Sequence, residues 1–196
     1  ISGKFTPTFE MRYALDSVMV DCQDPNSGAY GTDGAAHRIH KSYNCWFVRT
    51  AARNAKHTAE GQGNGVQVIY STRSGALSPV LSGMRHTCQM SASTECAILD
   101  IDSTDGLLAD LDFHGLNSVG CIMSLRQVSF GNRSASASNG AIVCGNPTHL
   151  AGDHDCVVMG VNGGVLGPFD GTGAYGIRMY PPSTNFTVIG VNGRDV

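Results

Sequence analysis

The chain has 196 residues, 41% of them apolar and 15% charged, with a net charge of −3. That apolar content suffices for one domain with a sizeable core and argues against disorder. The weakly acidic balance gives no basic footprint for nucleic acid, and no apolar run approaches the roughly 18–20 residues a membrane-spanning helix needs. The 25 glycines and frequent Ser, Thr and Asn suit an all-β protein with many tight corners. No secretion signal is evident and the chain starts at Ile1, so it reads as part of a longer polypeptide.

Residues 1–10 read as a lead-in, since Pro7 cannot sit in a central strand. Residues 11–196 read as one repetitive β domain. The first strand is expected over residues 16–22, with Val18, Val20 and Cys22 inward by the period-2 rule. A turn-rich loop follows over 23–36. Arg38-Ile39-His40 then leads through a corner into Asn44-Cys45-Trp46-Phe47-Val48. Residues 50–64 form a polar excursion whose Ala-rich half could make one short helix. Later units are read as opening at Val66, Cys96, Cys121, Ala141 and Ile177, and as returning through Val80, Leu111, Val128, Cys156 and Phe186.

Aligning the returns places Val18, Cys45, Val80, Leu111, Val128, Cys156 and Phe186 in one apolar column. A second column, two residues on, is Val20, Phe47, Ser82, Phe113, Phe130, Val158 and Val188. The preceding residues, Ser17, Asn44, Pro79, Asp110, Gln127, Asp155 and Asn185, are mostly polar. Stacked strand coils need such columns: apolar side chains pile up inside, while corner side chains bond backbone groups. The step from Leu111 to Val128 is only 17 residues, which marks a tight coil or a slipped register.

The seven cysteines, Cys22, Cys45, Cys88, Cys96, Cys121, Cys144 and Cys156, are odd in number and contain no Cys-x-x-Cys pair. They read as buried free thiols, in keeping with folding in a reducing compartment.

Asn44-Cys45-Trp46-Phe47-Val48, Asp155-Cys156-Val157-Val158 and Asn185-Phe186-Thr187-Val188-Ile189-Gly190, each following a short strand, resemble the coils of pectate-lyase-like right-handed parallel β-helices. The irregular coil lengths, polar loops and free cysteines look most like a bacteriophage tailspike or tail fibre. The resemblance implies an all-β, single-stranded solenoid of about seven irregular coils. It further implies a homotrimer in a phage tail, assembled in the host cytoplasm beside other virion tail proteins. Such a protein recognises bacterial surface polysaccharide and in many cases depolymerises it. A non-enzymatic shaft or adhesin, and a secreted polysaccharide lyase, stay open as alternatives. An antiparallel sandwich or barrel is the rival fold, with Gly163-Gly164 as its best hairpin signal.

Saccharide hydrolysis usually takes a pair of carboxylates. The acidic residues gather at Asp100, Asp102, Asp105, Asp110 and Asp112, with His114 nearby. Alternation with Leu111 and Phe113 puts Asp112 and His114 on one solvent face, a carboxylate–imidazole pair suited to acid–base work. Asp100 and Asp102 share a face by the same rule, so Asp112, Asp100 and Asp102, with His114 assisting, are the catalytic candidates. Solvated surface charge is the plainer reading of the same residues. A lyase would need a cationic base beside a calcium-binding acidic cluster; Arg178 and Arg126 are available, with no such cluster evident beside them.

Trp46 lies between inward Cys45 and Phe47 and should face outward, against a neighbouring subunit, a loop or a sugar ring. No metal site or cofactor is expected. His37 and His40 would point to opposite sides of a strand, and in Asp153-His154-Asp155 the second aspartate reads as a corner residue. Gly171-x-Gly173-x-x-Gly176 leads into a strand, so it reads as a turn-forming run and not a nucleotide loop.

Overall fold

The computed structural model describes residues 7–24, 34–53, 63–84, 86–106, 109–130, 140–146, 148, 151–166 and 175–193. Every element among them is a strand, and every pairing is parallel. A first circuit gives β1 (Phe9–Arg12), β2 (Val18–Val20) and β3 (Gln23–Asp24). The next gives β4 (Ala35–His40), β5 (Trp46–Val48) and β6 (Ala51–Ala52), and the one after β7 (Asn64–Ile69), β8 (Gly75–Leu77) and β9 (Val80–Ser82). Then come β10 (His86–Ser91) with β11 (Ala97–Gly106), and β12 (Ala109–Phe113) with β13 (Ile122–Phe130). Last are β14 (Gly140–Cys144) with β15 (Val157–Leu166), and β16 (Tyr175–Met179) with β17 (Thr187–Ile189) and β18 (Asn192–Gly193).

Strands β1, β4, β7, β10, β12, β14 and β16 lie side by side in a seven-stranded sheet. The others form an eleven-stranded sheet in which the short β3, β6, β9 and β18 pair beside the main path. Each circuit thus adds one strand to the smaller sheet and one or two to the larger, a connectivity consistent with a β-solenoid. Between the sheets a single bridging residue per circuit makes its own ladder: Leu15, Tyr43, Thr72, Thr94, Val119, His154 and Thr184.

The core lies between the sheets. In the larger sheet Met19, Phe47, Ala76, Ile98, Met123, Val158 and Val188 stand in register. Two residues earlier, Ser17, Cys45, Ser74, Cys96, Cys121, Cys156 and Phe186 form a second column, fixed by bonds such as Gly75 N–H to Cys45 O and Ile122 N–H to Cys96 O. All the cysteines are free, and all but Cys22 are buried. Their thiols also serve the backbone: Cys96 Sγ donates to Ser71 O at 3.3 Å and Cys121 Sγ to Ser93 O at 3.3 Å.

One-residue corners separate these strands. Asp16, Asn44, Arg73, Glu95, Gly120, Asp155 and Asn185 are all left-handed, with φ between 46° and 62°. Their side chains pair along the column, Asn44 Nδ2 to Asp16 Oδ1 at 2.8 Å and Asn185 Nδ2 to Asp155 Oδ1 at 3.1 Å. Three residues before the cysteine column, Ser42, Ser71 and Ser93 accept the N–H of the preceding circuit's corner, from Ala14, Ser42 and Ser71, at 3.1, 3.2 and 3.4 Å. Each hydroxyl also donates to the carbonyl two residues earlier in its own chain.

The expected columns are right at Cys45, Phe47, Cys156, Phe186, Val158 and Val188, and slip elsewhere. Val18, Val20 and Val80 face outward, at 59%, 50% and 38% exposure, because the left-handed corners at Asp16 and Ser78 set the alternation one residue off. Leu111 and Phe113 belong to the seven-stranded sheet, and Val128 continues β13 instead of returning. Strand β10 takes no part in the expected units: His-Thr-Cys-Gln-Met-Ser lacks an apolar run. Phe9 and Glu10 of the expected lead-in are in β1, and Gly163-Gly164 lies within parallel β15. Residues 54–62, with most of the Ala-rich excursion, and Gly171 and Gly173 lie outside the described residues, while Ala51–Ala52 is strand.

Two predictions follow from the packing. A Cβ at Gly75 would overlap the Ala97 carbonyl, whereas one at Gly120 meets nothing within 4 Å. Gly75→Ala should therefore lower stability by about 3 kcal/mol in urea unfolding, while Gly120→Asn, matching Asn44 and Asn185 in its column, should be near neutral. His37 is fully buried, stacked on Phe9 at 5.3 Å and edge-on to Phe47. Burial, partly offset by Asp24 and the Cys22 backbone, lowers its pKa from 6.5 to about 4. The unfolded chain thus binds the extra proton first, and stability should fall by up to about 3 kcal/mol as pH drops from 7 to 4. A His37→Phe variant should lose that slope in unfolding curves measured across the same range.

Candidate functional site

The outer face of the seven-stranded sheet carries a ladder of polar residues in register: Glu10, Arg38, Gln67, Gln89 and Asp112, then Val143 and Arg178. Strand alternation sends these side chains outward, while their neighbours Met11, Ile39, Val68, Met90 and Phe113 fill the core. Gln67, Gln89 and Asp112 are nevertheless buried.

Their hydrogen bonds run one way. Arg38 Nε donates to Gln67 Oε1 at 2.8 Å. Gln67 Nε2 in turn donates to Gln89 Oε1, which also accepts from Asn64 Nδ2 at 3.1 Å. Gln89 Nε2 donates to Asp112 Oδ2 at 2.9 Å. An arginine can only donate and an ionised carboxylate can only accept, so the two ends fix both amides between them.

Asp112 Oδ2 is the meeting point. His114 Nδ1 lies 2.8 Å from it and His86 Nδ1 3.3 Å. Burial works to raise the Asp112 pKa, but His86, His114 and Gln89 outweigh it and hold the carboxyl below its ordinary value. An ionised Asp112 makes His114 Nδ1 the proton-bearing nitrogen and leaves Nε2 as the basic one. Gln89 Nε2 and His114 Nδ1 lie 3.1 Å apart because both approach the same oxygen. The His114 side chain is 28% exposed and that of Asp112 only 3%, so a ligand meets the imidazole and not the carboxylate.

The regular corner changes beside His114. Eight residues separate Met11 from Met19, Ile39 from Phe47, Val68 from Ala76 and Met90 from Ile98, but ten separate Phe113 from Met123 and fourteen Cys144 from Val158. A carboxylate replaces the corner serine there: buried Asp153 accepts Gly115 N–H at 2.5 Å and Ser118 N–H at 2.6 Å. One hydroxyl could not hold both ends of the longer turn. Burial raises the Asp153 pKa against the pull of those N–H groups.

The four proposed catalytic residues divide between the sheets. Asp112 and His114 come together on adjoining outward positions of one face, although Asp112 is buried where a solvated carboxylate was expected. Asp100 and Asp102 lie on β11 of the other sheet. Asp100 occupies a left-handed corner at φ 59°, accepts from Ser78 Oγ at 2.9 Å, and pairs with Arg126 at 3.2 Å. Asp102 is 3.9 Å from Arg126. Arg126 thus does have an acidic pair beside it, contrary to the sequence reading. Register hides this, since β11 shifts between Ile98 and Ile101 and breaks the simple alternation.

Trp46 faces outward, half-buried between Val18 and Gly75. It belongs to an apolar outer face of the larger sheet on which Val18, Val20, Leu77, Met159 and Ile189 are exposed. Asp155 is a corner residue, 2.9 Å from His154 Nδ1. Among the described residues no three His, Cys, Asp or Glu side chains converge on a metal position. Gln89 and His86 were missed because strand β10 was missed, and Gln67, on β7, because its partner Gln89 was. The Ser-x-x-Ser of Ser71–Ser74 and the Ser-x-x-Cys of Ser93–Cys96 and Ser118–Cys121 would have located β10, by leaving room for one strand between the first and second of those units.

Comparison with protein-family models and with curated proteins returns no match.

The cluster predicts a measurable cost. Asp112→Asn puts an amide donor against the N–H groups of His114 and Gln89, and should lower stability by about 2–4 kcal/mol in urea unfolding. A loss below about 1 kcal/mol would mean that the carboxylate does not organise the cluster.

Proposed function

We propose that the chain is a right-handed parallel β-helix of the pectate-lyase-like kind, with about seven coils, that works as a phage tailspike-like protein recognising and cleaving bacterial surface polysaccharide. The observation that carries this reading is the Asp112–His114 pair: a buried, ionised carboxylate that orients a partly exposed imidazole beside the widened corner. Departure from an otherwise regular repeat is where function is to be sought.

In this reading His114 Nε2 is the base that takes a proton from substrate or water, and Asp112 orients it and stabilises the imidazolium. Asp112 itself does not touch the glycan. Asp100 and Asp102, on the other sheet, are a separate acidic site paired with Arg126. The apolar outer face around Trp46 supports packing against copies of the chain in a homotrimer, alongside other tail proteins of the virion.

One observation favours a second reading. Gln67, Gln89 and Asp112 satisfy one another inside the molecule, as a rigid non-enzymatic shaft or adhesin would require.

Incubation with capsular or lipopolysaccharide preparations separates the two. An enzyme should release reducing or unsaturated sugar, and His114→Ala should slow release by about 100-fold or more. Binding without release selects the adhesin, and neither binding nor release removes the glycan reading.

A further inference from the structure

The corner that follows the seven-stranded sheet contains a second surface of interest. In the first four circuits its left-handed residue is Tyr13, Lys41, Tyr70 and Ala92, with φ of 53°, 51°, 50° and 47°. Bulky side chains are disfavoured in that region of backbone space. Ala92 shows that a methyl group is enough to make the turn. At the next corner most residues are short and polar, as at Asp16, Asn44, Asp155 and Asn185. The two tyrosines therefore add strain the turn does not need, and strain kept where a smaller residue would serve points to use of the side chain.

The rings are available. Tyr13 is 67% exposed and Tyr70 54%, and Tyr43 beside them is 40% exposed. They stand two strand spacings apart along the stack, about 10 Å. The Lys41 ammonium lies between them, 5.7 Å from one ring centroid and 6.0 Å from the other. His40 tilts against the same two rings at 6.3 and 6.0 Å. The other cations nearby have acceptors: Arg12 on Glu10, Arg38 on Gln67, and Arg73 on Glu95. No described carboxylate lies within ion-pair distance of Lys41.

We infer that Tyr13, Lys41 and Tyr70 form a ledge that binds an anionic saccharide, a sugar carboxylate resting on Lys41 and apolar ring faces on the tyrosines. This rests on the glycan reading above and adds the chemical class of the glycan. Tyrosine offers a flat apolar face with a polar rim, which suits a sugar. Nucleic acid, with a phosphate at every residue, fits poorly, since the ledge offers one ammonium and the chain is net acidic.

The test uses the full chain in affinity electrophoresis against uronate-containing capsular polysaccharides, each native and carboxyl-reduced. Wild type should bind at least one native glycan about tenfold tighter than its reduced form. Lys41→Gln should abolish that preference, and Tyr70→Ala, which copies Ala92, should weaken binding about tenfold with unchanged thermal stability. Equal binding of native and reduced forms, or wild-type behaviour of both variants, overturns the ledge and leaves the glycan reading standing. Absence of binding to every polysaccharide overturns both.

Discussion

Everything in this molecule depends on how the corner backbone is satisfied. A corner turned by one left-handed residue leaves N–H groups pointing along the stack, where buried polar groups must find partners. The hydroxyls of Ser42, Ser71 and Ser93 supply them, each accepting from one circuit and donating to its own. Repetition then follows, because a ladder of this kind works only if the same residue type recurs at the same place. Asp153 is the informative exception. It meets the requirement for a longer turn, and it does so next to the pair of side chains best suited to chemistry.

The two outer faces divide the labour. One sheet presents amides, acids, imidazoles and cations, knit into a chain of hydrogen bonds with a single direction from Arg38 to Asp112. The other presents Val18, Val20, Trp46, Leu77, Met159 and Ile189. Among the described residues, thiols, methyls and rings fill the space between the sheets. The two outer faces differ in polarity, one dominated by hydrogen-bonding side chains and the other by apolar ones.

The class of fold was legible because strand alternation and corner residues are local. Cys45, Phe47, Asp155 and Asn185 reveal their places through neighbours two or three residues away. The middle of the chain was not legible in the same way. Strand β10 buries Cys88 and Met90 but alternates them with Thr87, Gln89 and Ser91, so its apolar signal is weak. Losing it exchanged the two sheets over the following circuits, and this hid Gln89 and His86 from the site. The Asp112–His114 pair survived because alternation within one strand is independent of which sheet holds it. The burial of Asp112 could not be read, since it depends on residues distant in sequence.

The spacing between the sheets has a consequence for how such a chain can change. From Met11 to Met19, and at the three repeats that follow, the count of residues is invariant at eight, while the path from the second sheet back to the first runs from 14 residues between Ala76 and Met90 to 21 between Phe47 and Val68. One arc of the first four circuits is therefore a fixed gauge, and the other is a free margin. Insertions can accumulate on the free margin without disturbing the stack, so novelty in length gathers along one flank of the molecule. Where the gauge lengthens after Phe113, the Asp153 carboxylate holds the two backbone N–H groups of the longer turn, so a corner aspartate accompanies the new surface there.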